Sequence, residues 1–131
     1  MGVSPQPLLR VENLRTGFRQ GRETVLAVDG VDFHIETGET FALVGESGSG
    51  KSVTALSVLR LLPPNGRILS GSVHLTGEDL LQRPEFAMGR IRGRRVGVVF
   101  QDPQTSLNPV MTVGAQVREV LACHGLRRGR A

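Results

Sequence analysis

Gly45-Glu46-Ser47-Gly48-Ser49-Gly50-Lys51-Ser52 is the stretch on which the fold turns. It matches G-x-x-x-x-G-K-[ST] in full, and each residue type has a physical reason. Glycines let a backbone wrap closely enough to aim successive N–H groups at phosphate oxygens. A helix opening directly after the loop adds its own unsatisfied amides and the positive end of its dipole. Lys51 supplies a point charge for the outer phosphates, and the Ser52 hydroxyl can ligate Mg²⁺. The stretch, with Val53 in the first helical turn, reads as a phosphate cradle.

Both flanks agree with that reading. Residues 40–44 (TFALV) are a mostly apolar run suited to a buried strand. After the loop, Val53, Ala55, Leu56, Val58, Leu59 and Leu62 fit a helix over 51–62, stopped by Pro63-Pro64-Asn65-Gly66. Further upstream, residues 8–14 predict a strand ending near Thr16-Gly17, and 19–23 are turn-like. Residues 24–28 and 31–36 predict two more strands around a tight turn at Asp29-Gly30; in the second, Val31, Phe33 and Ile35 alternate with polar neighbours. Downstream, 72–76 predicts a strand, 84–92 a helix, 96–100 (VGVVF) a second buried strand and 101–109 a proline-bounded loop. A last helix is predicted from Thr112 or Val113 to His124, with Gly125 as its C-cap. The fold class is α/β: an N-terminal antiparallel layer joined to a phosphate-loop core.

Composition narrows the setting. The 131 residues hold one cysteine, Cys123, which excludes an internal disulfide and a cysteine-based zinc cluster. No apolar run approaches the length of a bilayer span, and the first ten residues lack a signal-peptide pattern. Lysine has been almost abandoned: of 16 basic residues only Lys51 is not arginine. The net charge of +4 is uneven, with six basic and seven acidic groups in residues 1–60 against ten and five in 61–131. Arg90, Arg92, Arg94 and Arg95, with Arg127, Arg128 and Arg130, lack interleaved aromatics and read as a solvated or partner-facing surface, so nucleic acid is not expected as a partner. His34, His74 and Cys123/His124 have no metal-ligand spacing, and the first two sit on polar strand faces that read as solvent-exposed.

The order of GESGSGKS, then ILSGSVHLTGEDLL at 68–81, then RRVGVVFQDPQTSLNPVMTVGAQV at 94–117 resembles the ATPase subunits of ABC transporters. Within them, Phe100-Gln101-Asp102-Pro103 with Ser106-Leu107-Asn108-Pro109 is similar to the Q-loop of the oligopeptide/dipeptide importer group. The resemblance implies a subunit that binds MgATP and energises solute import, with peptides as the cargo class. It implies membrane permease subunits and a second ATPase subunit as partners, a solute-binding protein acting indirectly, and a peripheral place on the cytoplasmic face of the membrane. It also implies roles. Gln101 matches the glutamine that meets Mg²⁺ and the γ-phosphate side and relays nucleotide state; a neutral amide both donates and accepts. Phe18 falls where the family places an aromatic against adenine. The other phenylalanines (Phe33, Phe41, Phe86 and Phe100) read as packing.

Asp102 after VGVVFQ resembles a Walker B acid, but it follows an intervening glutamine and leads into a proline loop. The resemblance also says what should follow: an LSGGQ-type signature, a true Walker B acid with its glutamate, and a switch histidine. None precedes Ala131. The expectation is the N-terminal part of one nucleotide-binding domain: strand layer and core over 8–100, Q-loop over 101–111 and the start of a helical subdomain over 112–125. Such a chain would bind ATP without hydrolysing it. Two other readings stand beside it, a nucleic-acid-associated ATPase using the basic second half and a non-catalytic nucleotide-binding remnant.

Overall fold

Strand β1, Leu9–Gln20, lies at the middle of the sheet in the computed structural model, which describes residues 6–101 and 106–126. It pairs antiparallel with β2, Glu23–Ile35, on one side and with β3, Gly66–Leu75, on the other. The two-residue strand β4, Glu78–Asp79, completes the order β2-β1-β3-β4. Both tight hairpins use positive φ where the strand twist demands it. Gly21 (φ 63) is the first central residue between β1 and β2, and Thr76 (φ 50) with Gly77 (φ 82) joins β3 to β4.

The expected turn at Asp29-Gly30 is not a turn. β2 runs through it as one strand, and Gly30 at φ 67 absorbs an extra residue where the register slips between Leu14↔Val31 and Thr16↔Val28. β1 carries its own surplus residue at Asn13 (φ 45), whose N–H donates to Asp32 Oδ1 at 2.8 Å. Opposite this kink only glycine fits: a Cβ on Gly71 (φ 103) would lie 2.6 Å from Asn13 O and 2.7 Å from Leu14 Cα. A third slip leaves Ala27 of β2 out of register between Thr16↔Val28 and Gly17↔Leu26.

Helix α1, Lys51–Val58, packs on this sheet and is a turn shorter than its apolar pattern predicts. Arg60 takes φ 54 beyond it, with Arg60 N donating to Ser57 O and Leu61 N to Leu56 O, the paired closure of a helix C-terminus. Its guanidinium then donates to the carbonyls of Leu80 and Arg83, which ties the helix end to the chain after β4. The core holds Val11, Leu14, Val28, Val73, Leu75 and Leu80 from the sheet side and Val58 and Leu59 from the helix end.

The chain divides into two compact units, Met1–Arg83 and Pro84–Ala131. The second holds α2, Glu85–Ile91, whose Met88 and Ile91 are buried, and α3, Val113–Cys123, which buries none of its residues. α3 starts on Thr112, whose hydroxyl accepts from Ala115 N, and ends at Gly125 (φ 67) with the same paired closure as α1. Gln116 folds back from it, accepting from Asn108 N and donating to the carbonyls of Asn108 and Met111.

Two strand expectations fail. Residues 40–44 and 96–100 form no strand, and Val44 is 87% and Val99 98% exposed. A strand buried on both faces needs neighbours for its N–H and C=O groups, and among the described residues neither run has a ladder partner beyond an isolated Arg92–Val96 bridge. Of the phenylalanines read as packing, Phe33 and Phe41 do stack, 5.0 Å apart, whereas Phe86 and Phe100 are exposed. His34 is exposed as expected; His74 is half-buried, with Nδ1 enclosed and without a partner among the described residues. No helix among the described residues is long and apolar enough to cross a membrane.

Candidate functional site

The 45–50 loop is shaped by its glycines for different reasons. Gly48 (φ 82) and Gly50 (φ 90) occupy the left-handed region that side chains resist. A Cβ on Gly45 would fall 2.6 Å from Ser49 Oγ, so a larger residue there would displace the Ser49 hydroxyl. Gly50 is doubly constrained, because a Cβ there would collide with the carbonyl oxygen of Ala27, the residue that β2 leaves out of register. The last glycine of the loop is thereby seated on the antiparallel layer.

From Gly50 the helix begins with no side-chain cap and no acidic residue in its first turn. Its leading amides and dipole therefore keep their preference for an anion. The Lys51 amine bends back over the loop and donates to Gly45 O at 2.7 Å, Glu46 O at 2.6 Å and Ser49 Oγ at 3.2 Å. No carboxylate among the described residues pairs with it, so its charge is not neutralised. Ser52 is exposed beside it and Val53 is half-buried. The residues present fit a polyphosphate: one cation, the uncapped leading amides of α1 and a hydroxyl able to join the hard-oxygen shell that Mg²⁺ prefers. Among the described residues no group of three or more His, Cys, Asp or Glu is placed to hold a metal unaided.

The loop residues Gly45 to Val53 come together in the first unit. Phe18 is in that unit too, on β1, paired with Val25 and Gly66. Its ring edge covers Gly66, where a Cβ would lie 2.9 Å from Phe18 Cε1. Gln101 belongs to the second unit, exposed at the end of the 96–100 run. Asp102 lies outside the described residues.

Three residues that matter to the mount escaped the sequence reading. Thr54 and Ser57 are buried on α1, and Ser57 Oγ meets the buried Thr16 Oγ1 of β1 at 2.8 Å. With Val58 they make the buried i, i+3, i+4 pattern of a helix, but two of its three positions carry hydroxyls and so look solvent-facing.

Residues 28–128 match the family described as ABC transporter, well over half of the chain. The chain belongs to the ABC transporter family. This ABC transporter chain is 53% identical over 118 residues to the oligopeptide transport ATP-binding protein AppD of Bacillus subtilis, covering 89% of this chain and 36% of AppD. It is 50% identical over 123 residues to the peptidoglycan transport ATP-binding protein YejF of Agrobacterium fabrum, covering 93% of this chain and 22% of YejF. It thus spans well under half the length of these curated relatives. Among solved structures, the dimeric ATP-binding cassette MJ0796, bound to ADP and Pi in a post-hydrolysis state, matches with a TM-score of 0.77 at 26% identity. That match covers 94% of this chain and 50% of the cassette. The antiparallel layer joined to a phosphate loop and its helix is that of an ABC ATPase cassette.

Proposed function

We propose that the chain binds MgATP through Gly45 to Val53 as part of an ABC ATPase subunit that energises the import of a solute, with peptides as the cargo class. The observation that carries it is the loop itself: an uncapped helix start after two left-handed glycines, with the unneutralised Lys51 amine folded across it. Lys51 would hold the outer phosphates and Ser52 would ligate Mg²⁺; the metal-side and coupling role of Gln101 rests on the family resemblance of its own loop sequence. Phe18 would take the adenine face. In this reading the whole chain is one part of a nucleotide-binding domain, with residues 8–100 as layer and core, 101–111 as the coupling loop and 112–125 opening a helical subdomain. Its partners are membrane permease subunits and a second ATPase subunit, with a solute-binding protein acting through the permease, at the cytoplasmic face of the membrane. The likeness to AppD, an oligopeptide transport ATP-binding protein, supports the cargo class.

The test is equilibrium titration with MgATP. Lys51→Ala removes a charge-assisted contact and is expected to lose about 2–4 kcal/mol of affinity. Unchanged affinity in a folded Lys51→Ala chain overturns the assignment.

A further inference from the structure

The helix that presents the phosphate loop is fixed at two points, and they lie on two different strands. At its start, Gly50 rests on the carbonyl of Ala27 in β2. Two turns on, Ser57 meets Thr16 of β1, with both side chains fully buried. The hydroxyl protons can be assigned. Ser57 Oγ donates to Val53 O at 2.7 Å, so its proton is committed and Thr16 must be the donor across the 2.8 Å gap. Val53 O belongs to the first turn of α1, and the neighbouring Thr54 Oγ1 donates to Gly50 O at 2.9 Å. Hydroxyl bonds therefore run from the central strand through Ser57 to Val53 O in the first turn of α1, and Thr54 separately ties that turn to Gly50 O.

Apolar contacts alone would let an eight-residue helix roll or slide on the sheet, because burial is non-directional. A buried hydrogen bond has a preferred length and angle, and shifting the helix leaves polar groups unpaired. We infer that Thr16, through Ser57, is a positioning residue for the phosphate site: it sets the roll of α1 and with it the direction of the Lys51, Ser52 and Val53 amides. This rests on the nucleotide-binding reading above, and nothing in the loop motif specifies it.

The experiment compares Thr16→Val, which keeps the shape and removes the hydroxyl, with Thr16→Ser, which keeps the hydroxyl and removes a methyl. Each is titrated with MgATP at a temperature where circular dichroism shows full folding, with Lys51→Ala alongside. Amide exchange of residues 51–53 is followed without nucleotide. The expected result is affinity about three- to tenfold weaker in Thr16→Val and near that of the unsubstituted chain in Thr16→Ser. First-turn amide exchange should be faster only in Thr16→Val. If Thr16→Ser loses as much as Thr16→Val, the side chain acts by packing and the inference fails. If Thr16→Val binds normally while Lys51→Ala does not, the inference fails and the nucleotide reading stands. No binding by the unsubstituted chain overturns both. Ser57→Ala supplies a second variant: it leaves the Thr16 hydroxyl without an acceptor, and is expected to weaken binding at least as much as Thr16→Val.

Discussion

Phe18 and Gly50 show how differently single residues carry a site. Gly50 is specified twice over, by a left-handed φ of 90 and by the Ala27 carbonyl that leaves no room for a Cβ. Either constraint alone would favour glycine, so the position is legible in sequence even though the motif names only one reason for it. Phe18 has no such redundancy. It covers Gly66, which any apolar residue could do, and its proposed adenine contact adds a π-face to that packing. The two roles separate by ligand. Phe18→Ala is expected to weaken ATP by about 1–2 kcal/mol and to leave inorganic triphosphate unaffected. Parallel titrations with the two ligands check this, and equal losses would mean that Phe18 works through the fold.

Among the elements, the strands are where local signals and long-range pairing part company. Asp29-Gly30 has the composition of a hairpin turn, yet β1 is long enough to pair on both sides of it and the glycine is used to bulge the strand instead. Residues 40–44 and 96–100 are apolar enough for buried strands, but a strand exists only with a partner, and composition cannot supply one. The loop and its helix were legible because their constraints are local. The hydroxyl mount was not, because Thr54 and Ser57 look polar until Thr16 is placed against them. The sheet also carries a pH dependence. Arg10 donates to the Glu12 carboxylate, and this bond, against the cost of desolvation and with help from Ser72 across on β3, holds Glu12 below its ordinary value of 4.5. A carboxyl lowered by folding contributes stability that is fully present above its unfolded value and is lost as pH falls through the folded one. Unfolding followed by circular dichroism is therefore expected to lose stability below about pH 4.5 less steeply in Glu12→Gln than in the unsubstituted chain. A carboxyl titration by NMR in Arg10→Gln should show Glu12 moving back up toward its ordinary value.

At the scale of the whole molecule, the sequence holds the G-x-x-x-x-G-K-S motif but no Walker B acid with an adjacent glutamate. Phosphoryl transfer to water needs an oriented nucleophile and charge stabilisation on the far side of the γ-phosphate as well as a cradle. The 131-residue chain is therefore expected to bind nucleotide and to show no phosphate release above background. A phosphate-release assay on monodisperse protein, with Lys51→Ala as the contamination control, checks this. Lys51-dependent turnover near about 1 s⁻¹, the scale of ordinary enzymes, would instead make Asp102 a metal-site acid.

The slip at Ala27 sets two demands on β2 against each other. A strand without that residue would pair more evenly with β1, and a longer regular ladder is ordinarily the more stable one. The same deletion would withdraw the carbonyl on which Gly50 rests. Selection for thermal stability alone would thus tend to repair the irregularity, while selection for nucleotide binding would keep it. That single step of the sheet is where the two pressures can be told apart.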